Sequence, residues 1–415
     1  MSAIERTAAI LTVGDELING QLIDTNSAWI AALLEEHGWR VSIMMSVGDE
    51  VNEIVSGIGK CSDAADLIIV TGGLGPTQDD LTLDALADYF QVEKIWHEPT
   101  WQHIQHLYTL MGREASVMQR RQCFLPTNAE VIQNNQGTAP GTVYRHNGKI
   151  LVSTPGVPGE MKHLLRDKII GTLPHGHAPY HHHIRTAGVG ETVIAEMIAD
   201  IEASLSSAIK LAYLPSWQQV TLRLTTYDVN SINALESFAE KIRQRLGTLA
   251  FHPDAMTISE DIGILLRNRK ETLGTAESCT GGYLAHLITA VSGSSDYYTG
   301  SVISYANEVK MTQLDVSEDV LQQHGVVSQQ VAEAMAVGAR KALGVNWALA
   351  TTGIAGPGGG TPDKPVGTVW IACAGPYGVT SRLLNLKRDR LGNIESAAIT
   401  TLVMLRKTIL EAGGN

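Results

Sequence analysis

The sequence predicts an α/β protein in three parts, and three observations carry that reading. Apolar strands alternate with amphipathic helices over residues 1–171. The same alternation returns over 254–415. Between them, over 172–253, the order changes to strand–helix–strand–strand–helix. Alternation implies a mostly parallel sheet with helices on both faces, a three-layer arrangement. The middle order suits a small α+β module.

The first part runs in regular order. AAILTVG reads as a strand, TNSAWIAALLEEHG as a helix, WRVSIMMSVG as a strand, NEIVSGIGKCSDA as a helix and DLIIVTGG as a strand. In the middle part, HGHAPYHHH reads as a flexible linker, His181–His183 included, that enters a strand over 183–187. Ile194, Met197, Ile198, Ile201 and Leu205 mark one face of a helix. Val220, Leu222 and Leu224 alternate as in a half-buried strand, and Ile232, Leu235, Phe238, Ile242 and Leu246 mark a second helix. In the last part, ETLGTAES reads as a strand and YLAHLITAV as the helix after it. A further helix follows the N-cap Ser328, and its Ala and Gly content predicts close packing on the sheet.

Bulk properties narrow the function. At 415 residues, 44% hydrophobic and 18% charged, the chain has ample core material and is not a disordered protein. A net charge of −12 disfavours phosphate-rich partners, so nucleic acid is not expected. The cysteines, Cys61, Cys123, Cys279 and Cys373, are far apart and form no CxxC pair, which fits a reducing cytoplasm. MSAIERTAAILTVG reads as a first strand rather than a signal peptide, and no apolar run is long enough to span a membrane.

TAESCTGG, residues 275–282, presents two adjacent nucleophiles, Ser278 and Cys279, between a strand and a helix. Serine needs a base. His286 falls within the following helix and His324 in a turn. Lys310, in YANEVKMTQL, is the better candidate, because a desolvated lysine loses its proton more readily. Cys279 reads as a buried small residue. ALATTGIAGPGGGTPDKPVG is a strand running into a Gly/Pro loop whose N–H groups suit an oxyanion or phosphate. Lys387, Arg388 and Arg390 precede the last helix, where an anionic group is welcome. Each piece alone has a bland reading as a packed turn, a solvated charge or a loop.

In the first part, Asp15 and Glu16 follow the first strand. Asp24 and Asn26 open the next helix, and Asp79 and Asp80 open another after Gly72, Gly73 and Gly75. Glycines allow close approach to phosphate, and the acids suit a hard divalent metal, although Asp and Asn at helix starts are also ordinary caps. GTAPGTVY and STPGVPGEM are two more loops of this kind.

Together AESCTGG, SYANEVK, GVVS and TTGIAGPGGG resemble the C-terminal domain of the CinA family. GDELINGQLIDTN with TGGLGPTQDD resembles its N-terminal domain, which is similar to the molybdopterin-binding fold. The middle part resembles a KH-type fold but has no GXXG loop, so it is read as a spacer or dimerisation element. The resemblance implies a C-terminal NMN (nicotinamide mononucleotide) deamidase that needs no cofactor. Ser278 would be its nucleophile, Lys310 its base and Tyr305 a support for the dyad or the substrate. Thr280, Gly281, Thr351, Thr352, Gly353 and Gly356 would line its pocket, with Arg390 at the phosphate. It also implies hydrolysis of ADP-ribose in the N-terminal domain, with a divalent metal and K+. Asp15, Glu16, Asp24, Asp79 and Asp80 are the metal candidates there, and Gly72, Gly73, Gly75 and Asn26 the substrate contacts. The expected partners are these small nucleotides and a second copy of the chain. An amidase with a merely nucleotide-binding N-terminal domain, or a competence or DNA-repair partner protein, are the rival readings.

Overall fold

The computed structural model describes residues 6–412, so the opening five residues of the first-strand reading lie outside the described part. The chain divides into two compact units, Met1–Tyr180 and His181–Asn415.

The first unit begins as the periodicity predicts, with β1 (Arg6–Val13), a single turn α1 (Asp15–Ile18), α2 (Thr25–Glu36), β2 (Trp39–Val47), α3 (Val51–Ala64) and β3 (Leu67–Thr71). Alternate residues of β1 enter two different cores. Ala8 and Ile10 pack with Ile30, Leu33 and Leu34 of α2, while Ala9 and Leu11 pack with Ile54 and Ile58 of α3. Burial of both faces makes the sheet the middle of three layers. After α4 (Thr82–Phe90) come pieces that sequence periodicity did not resolve: β4 (Lys94–Trp96), α5 (Glu98–Leu110), β5 (Phe124–Pro126) and β6 (Glu130–Ile132). Strands of three residues are too short to display a period. β7 (Gly141–His146), β8 (Lys149–Thr154) and α6 (Pro158–His163) complete the unit.

The main sheet has the order β2-β1-β3-β8-β7-β6, parallel from β2 to β8 and antiparallel at β7 and β6. The order reverses between β1 and β3, and the crevice at such a reversal, beyond the strands' carboxyl ends, is where these sheets bind ligands. Gly72 sits there at φ 110°, and a Cβ would fall 2.2 Å from Val13 O. Only glycine lets the two strand ends approach this closely.

The second unit opens with β9 (Tyr180–Ala187), α7 (Glu191–Ala203), β10 (Ile209–Ser216), β11 (Gln219–Thr226) and α8 (Ile232–Leu246), the order read from the sequence. Ile194, Ile198, Val220, Leu222, Leu224, Leu235 and Ile242 form its core. One expectation is corrected. His181–His183 are not linker but part of β9. The His181 ring nitrogen is 2.8 Å from Thr225 Oγ1, and that of His182 is 2.9 Å from Glu236 Oε1.

The remainder comprises α9 (Ile258–Arg269), β12 (Leu273–Glu277), α10 (Tyr283–Thr289), β13 (Tyr298–Ile303), α11 (Asn307–Leu314), α12 (Glu318–His324), α13 (Gln329–Leu343), β14 (Trp347–Gly353), β15 (Thr368–Gly375), β16 (Gly378–Asn385) and α14 (Arg390–Ala412). His324 therefore ends a helix rather than sitting in a free turn. The Ser328 hydroxyl accepts from Val331 N at 3.3 Å, capping α13, whose Ala332, Ala336 and Ala339 are fully buried. The sheet order is β13-β12-β14-β15-β16, with the first three strands parallel. Its order also reverses beside β12, and Ser278 follows β12 directly. No helix among the described residues is long and apolar enough to cross a membrane.

Candidate active site

Ser278 is held by the turn that leaves β12. Its N–H donates to Thr351 O at 3.0 Å, and the side chain is 8% exposed. Glu277, fully buried, organises the turn. Its carboxylate accepts from Thr280 Oγ1 at 2.8 Å and from the N–H groups of Gly282, Leu284 and Ala285 at 2.9, 3.0 and 2.8 Å. Gly281 and Gly282, at φ 59° and 101°, let the chain curl back over that carboxylate. Thr280 Oγ1 also lies 2.7 Å from Thr351 Oγ1. Ser278 is thus fixed from both sides.

Lys310 comes from α11, 32 residues along the chain, and its side chain is fully buried. Its Nζ lies 3.1 Å from Ser278 Oγ and donates to Ser304 O at 2.6 Å. Burial pushes its pKa below the usual lysine range. A neutral amine in this position can accept the serine proton. Cys279 behaves differently. Desolvation pushes its thiol up to about 12, so it stays protonated and weakly nucleophilic.

The other residues named from sequence take more varied places. Tyr305 is exposed, and its hydroxyl accepts from Arg390 Nη2 at 3.1 Å, while Arg390 Nη1 donates to Gly356 O at 2.5 Å. Tyr305 therefore stands with the arginine and the Gly/Pro loop. Thr351 and Thr352 are fully buried. Thr352 Oγ1 donates to Val326 O at 2.9 Å, and Gly353 pairs with Val369 in the sheet. These residues build the wall rather than present free groups to a ligand.

Sequence reasoning missed Glu277, Ser304 and Asn393. Glu277 was visible inside the quoted motif, as an acid at the buried end of an apolar strand. Asn393 Nδ2 donates to Ala355 O at 3.1 Å and Arg388 O at 2.9 Å, and nothing local in the sequence signals that.

At the switch point of the first unit, a cleft of about 430 Å³ is lined by Glu16, Asp49, Gly72, Gly73, Gly75, Asp79, Asp80 and Glu160. Of the five acids named as metal ligands, Glu16, Asp79 and Asp80 line this cleft, and Asp15 and Asp24 are not among its lining residues. Asp24 caps α2, accepting from Ser27 N at 2.9 Å and Ser27 Oγ at 2.5 Å. Asp80 closes the glycine loop by accepting from Gly75 N at 2.7 Å and Thr77 N at 2.9 Å. Asp15 N donates to Asp49 Oδ2 at 2.9 Å, and Asp49 N donates to Asp15 Oδ1 at 3.3 Å. Asn26 donates to Gly156 O at 2.8 Å, tying two loops together. Among the described residues, no group of three or more His, Cys, Asp or Glu side chains is disposed to hold a metal ion. For Asp24 and Asp80, helix and loop N–H groups already bind the carboxylates that the sequence offered to a metal. Two acids that sequence reasoning did not name, Asp49 and Glu160, line the cleft as well. Burial pushes Asp49 above the usual carboxylate range, and the charges of Asp15, Glu16 and Asp79 push it further. Burial also raises Glu160, which accepts from Asn134 Nδ2 at 2.6 Å.

Three family descriptions match the chain in succession: "Probable molybdopterin binding domain" over residues 9–175, "Damage-inducible protein CinA KH domain" over 181–251 and "CinA C-terminal domain" over 255–409. A CinA-like protein of Cytophaga hutchinsonii is 42% identical over 414 residues, covering 97% of this chain and 98% of its own. The chain belongs to the CinA family. A CinA-like protein of Flavobacterium psychrophilum is 41% identical, covering 97% of this chain and 99% of its own. The solved competence/damage-inducible protein of Agrobacterium tumefaciens is 35% identical, covering 37% of this chain and 93% of its own, with a TM-score of 0.36. The fold is accordingly that of a molybdopterin-binding-like N-terminal domain, a CinA KH module and a CinA C-terminal domain. Membership in the CinA family points to a hydrolase-like enzyme.

Proposed function

We propose that the C-terminal site hydrolyses the carboxamide of NMN to nicotinic acid mononucleotide and ammonia. The buried Lys310–Ser278 contact of 3.1 Å supports this reading above all else. Neutral Lys310 takes the proton from Ser278 Oγ as the oxygen attacks the carboxamide carbon. The tetrahedral intermediate collapses when Lys310 returns that proton to the departing nitrogen, releasing ammonia and leaving an acyl ester on Ser278. Water then attacks the ester, losing its proton to Lys310, and the carboxylate product leaves with Ser278 regenerated. Ser304 O orients the amine throughout. Arg390, at the edge of the Gly/Pro loop, supplies the positive charge for the nucleotide phosphate. Ammonia release from NMN, measured in EDTA for wild type and Ser278→Ala, tests the proposal. Activity in the wild type alone supports it, and release by both proteins refutes the serine mechanism.

A second activity, hydrolysis of ADP-ribose to AMP and ribose 5-phosphate, is supported by the glycine-lined acidic cleft at the switch point of the first unit. No step is assigned to a metal, because the acids present do not form a cage for one. AMP release from ADP-ribose, assayed in EDTA and then with added Mg2+ and K+, tests it. Nucleotide binding without hydrolysis would leave the first domain a binding module.

A further inference from the structure

The middle module reads from sequence as a spacer, but its hairpin tip reaches the C-terminal domain. Trp217 sits in the turn between β10 and β11. Its Nε1 donates to Thr400 Oγ1 of α14 at 3.1 Å, and the Arg388 guanidinium lies 5.5 Å from the ring centroid. The ring packs on a cluster that includes Cys279, next to the nucleophile, and Ala397 of α14. The module is anchored at a second point. Arg406 is almost fully buried, donates to Thr248 O and Ala250 O at 2.6 Å each, and pairs with Asp261.

Beyond Trp217 the contacts continue toward the site. Arg388 N donates to Asn393 Oδ1 at 3.1 Å, and Asn393 Nδ2 holds Ala355 O. Two residues on, Arg390 holds Gly356 O and Tyr305. Ring, arginine, asparagine and loop thus form one continuous set of contacts between the module and the Gly/Pro loop.

We propose that Trp217 is a positioning residue for the C-terminal site. By fixing Arg388 and the first turns of α14, it sets the Ala355–Gly356 loop and Arg390 in the geometry that receives the nucleotide. The middle module is then a working part of the amidase, a conclusion that rests on the NMN reading for its substrate. Trp217 touches neither serine nor lysine, so its effect falls on binding rather than on the chemical step.

The test uses the full chain. Trp217→Ala is expected to raise KM for NMN about tenfold with kcat changed less than about twofold, and Trp217→Phe, which keeps a ring face for the arginine, to restore most of it. Arg388 is exposed, so Arg388→Gln is a surface change expected to fold. It should raise KM by the same route, and adding Trp217→Ala to it should raise KM little further. Wild-type KM in Trp217→Ala, or fully additive effects in the pair, overturns the proposal. If the wild type releases no ammonia, the amidase reading has failed and hydrogen exchange carries the test. Faster exchange over residues 354–367 in Arg388→Gln and Trp217→Ala, with Trp217→Phe close to wild type, upholds the positioning role, and unchanged exchange in the first two overturns it.

Discussion

Lys310 Nζ lies 3.1 Å from Ser278 Oγ in a setting where the lysine side chain has no exposure to solvent. Lysine is rarely buried without a carboxylate partner. Here its hydrogen-bonded neighbours are a hydroxyl and a backbone carbonyl, and it is burial that favours the neutral amine.

Replacing Lys310 by Met should lower kcat for ammonia release by at least about a hundredfold, the scale of a lost general base. Steady-state kinetics at pH 7 check this, and normal activity there refutes the dyad.

The pH dependence follows from the direction of the lysine shift. Activity needs neutral Lys310, so kcat/KM should rise with pH through the lowered lysine pKa. Stability should move the same way. The unfolded chain binds the lysine proton more tightly than the folded one, so the unfolded state is favoured as pH falls below the ordinary lysine range. The stability contribution of this group therefore increases with pH between the lowered and ordinary values. Melting curves of wild type and Lys310→Met across that window should converge at high pH, and parallel curves count against a shifted lysine.

Replacing Cys279 by Ala should leave most activity intact, and iodoacetamide should fail to modify the native thiol, because the group is buried with its pKa pushed up to about 12. Rapid alkylation accompanied by inactivation would make the cysteine the better nucleophile.

Glu277→Gln should destabilise the chain by about 2–4 kcal/mol, since an amide turns N–H groups toward the donors that the carboxylate satisfied. Ammonia release should fall in kcat more than in KM as Ser278 loses its fixed turn. Chemical denaturation and kinetics on the same preparation check both.

Asp80→Asn should weaken the glycine loop by about 1 kcal/mol, reduce AMP release from ADP-ribose and leave ammonia release unchanged. A matching loss of both activities would mean that the substitution disturbs the fold rather than the cleft.

Much of the fold was legible because its signals are local. The apolar run of β1, the spacing of Ile30, Leu33 and Leu34 and the Ser328 cap each lie within a few residues. The stretch from β4 to β6 was illegible because its strands are three residues long. The histidines of β9 misled because a polar run resembles a linker until Thr225 and Glu236 are seen opposite it.

By itself the sequence determined the alternation that makes two three-layer α/β domains around a small α+β module, and it placed Ser278 and the glycine loops at strand ends. Only the tertiary structure decided what the polar residues do. It buried Lys310 against Ser278, committed Asp24 and Asp80 to backbone N–H groups, joined Tyr305 to Arg390 and brought Trp217 to α14. The physical reason is range. Backbone periodicity is written in neighbouring residues, whereas desolvation and hydrogen-bond competition depend on groups tens to hundreds of positions away, which meet only when the chain is folded.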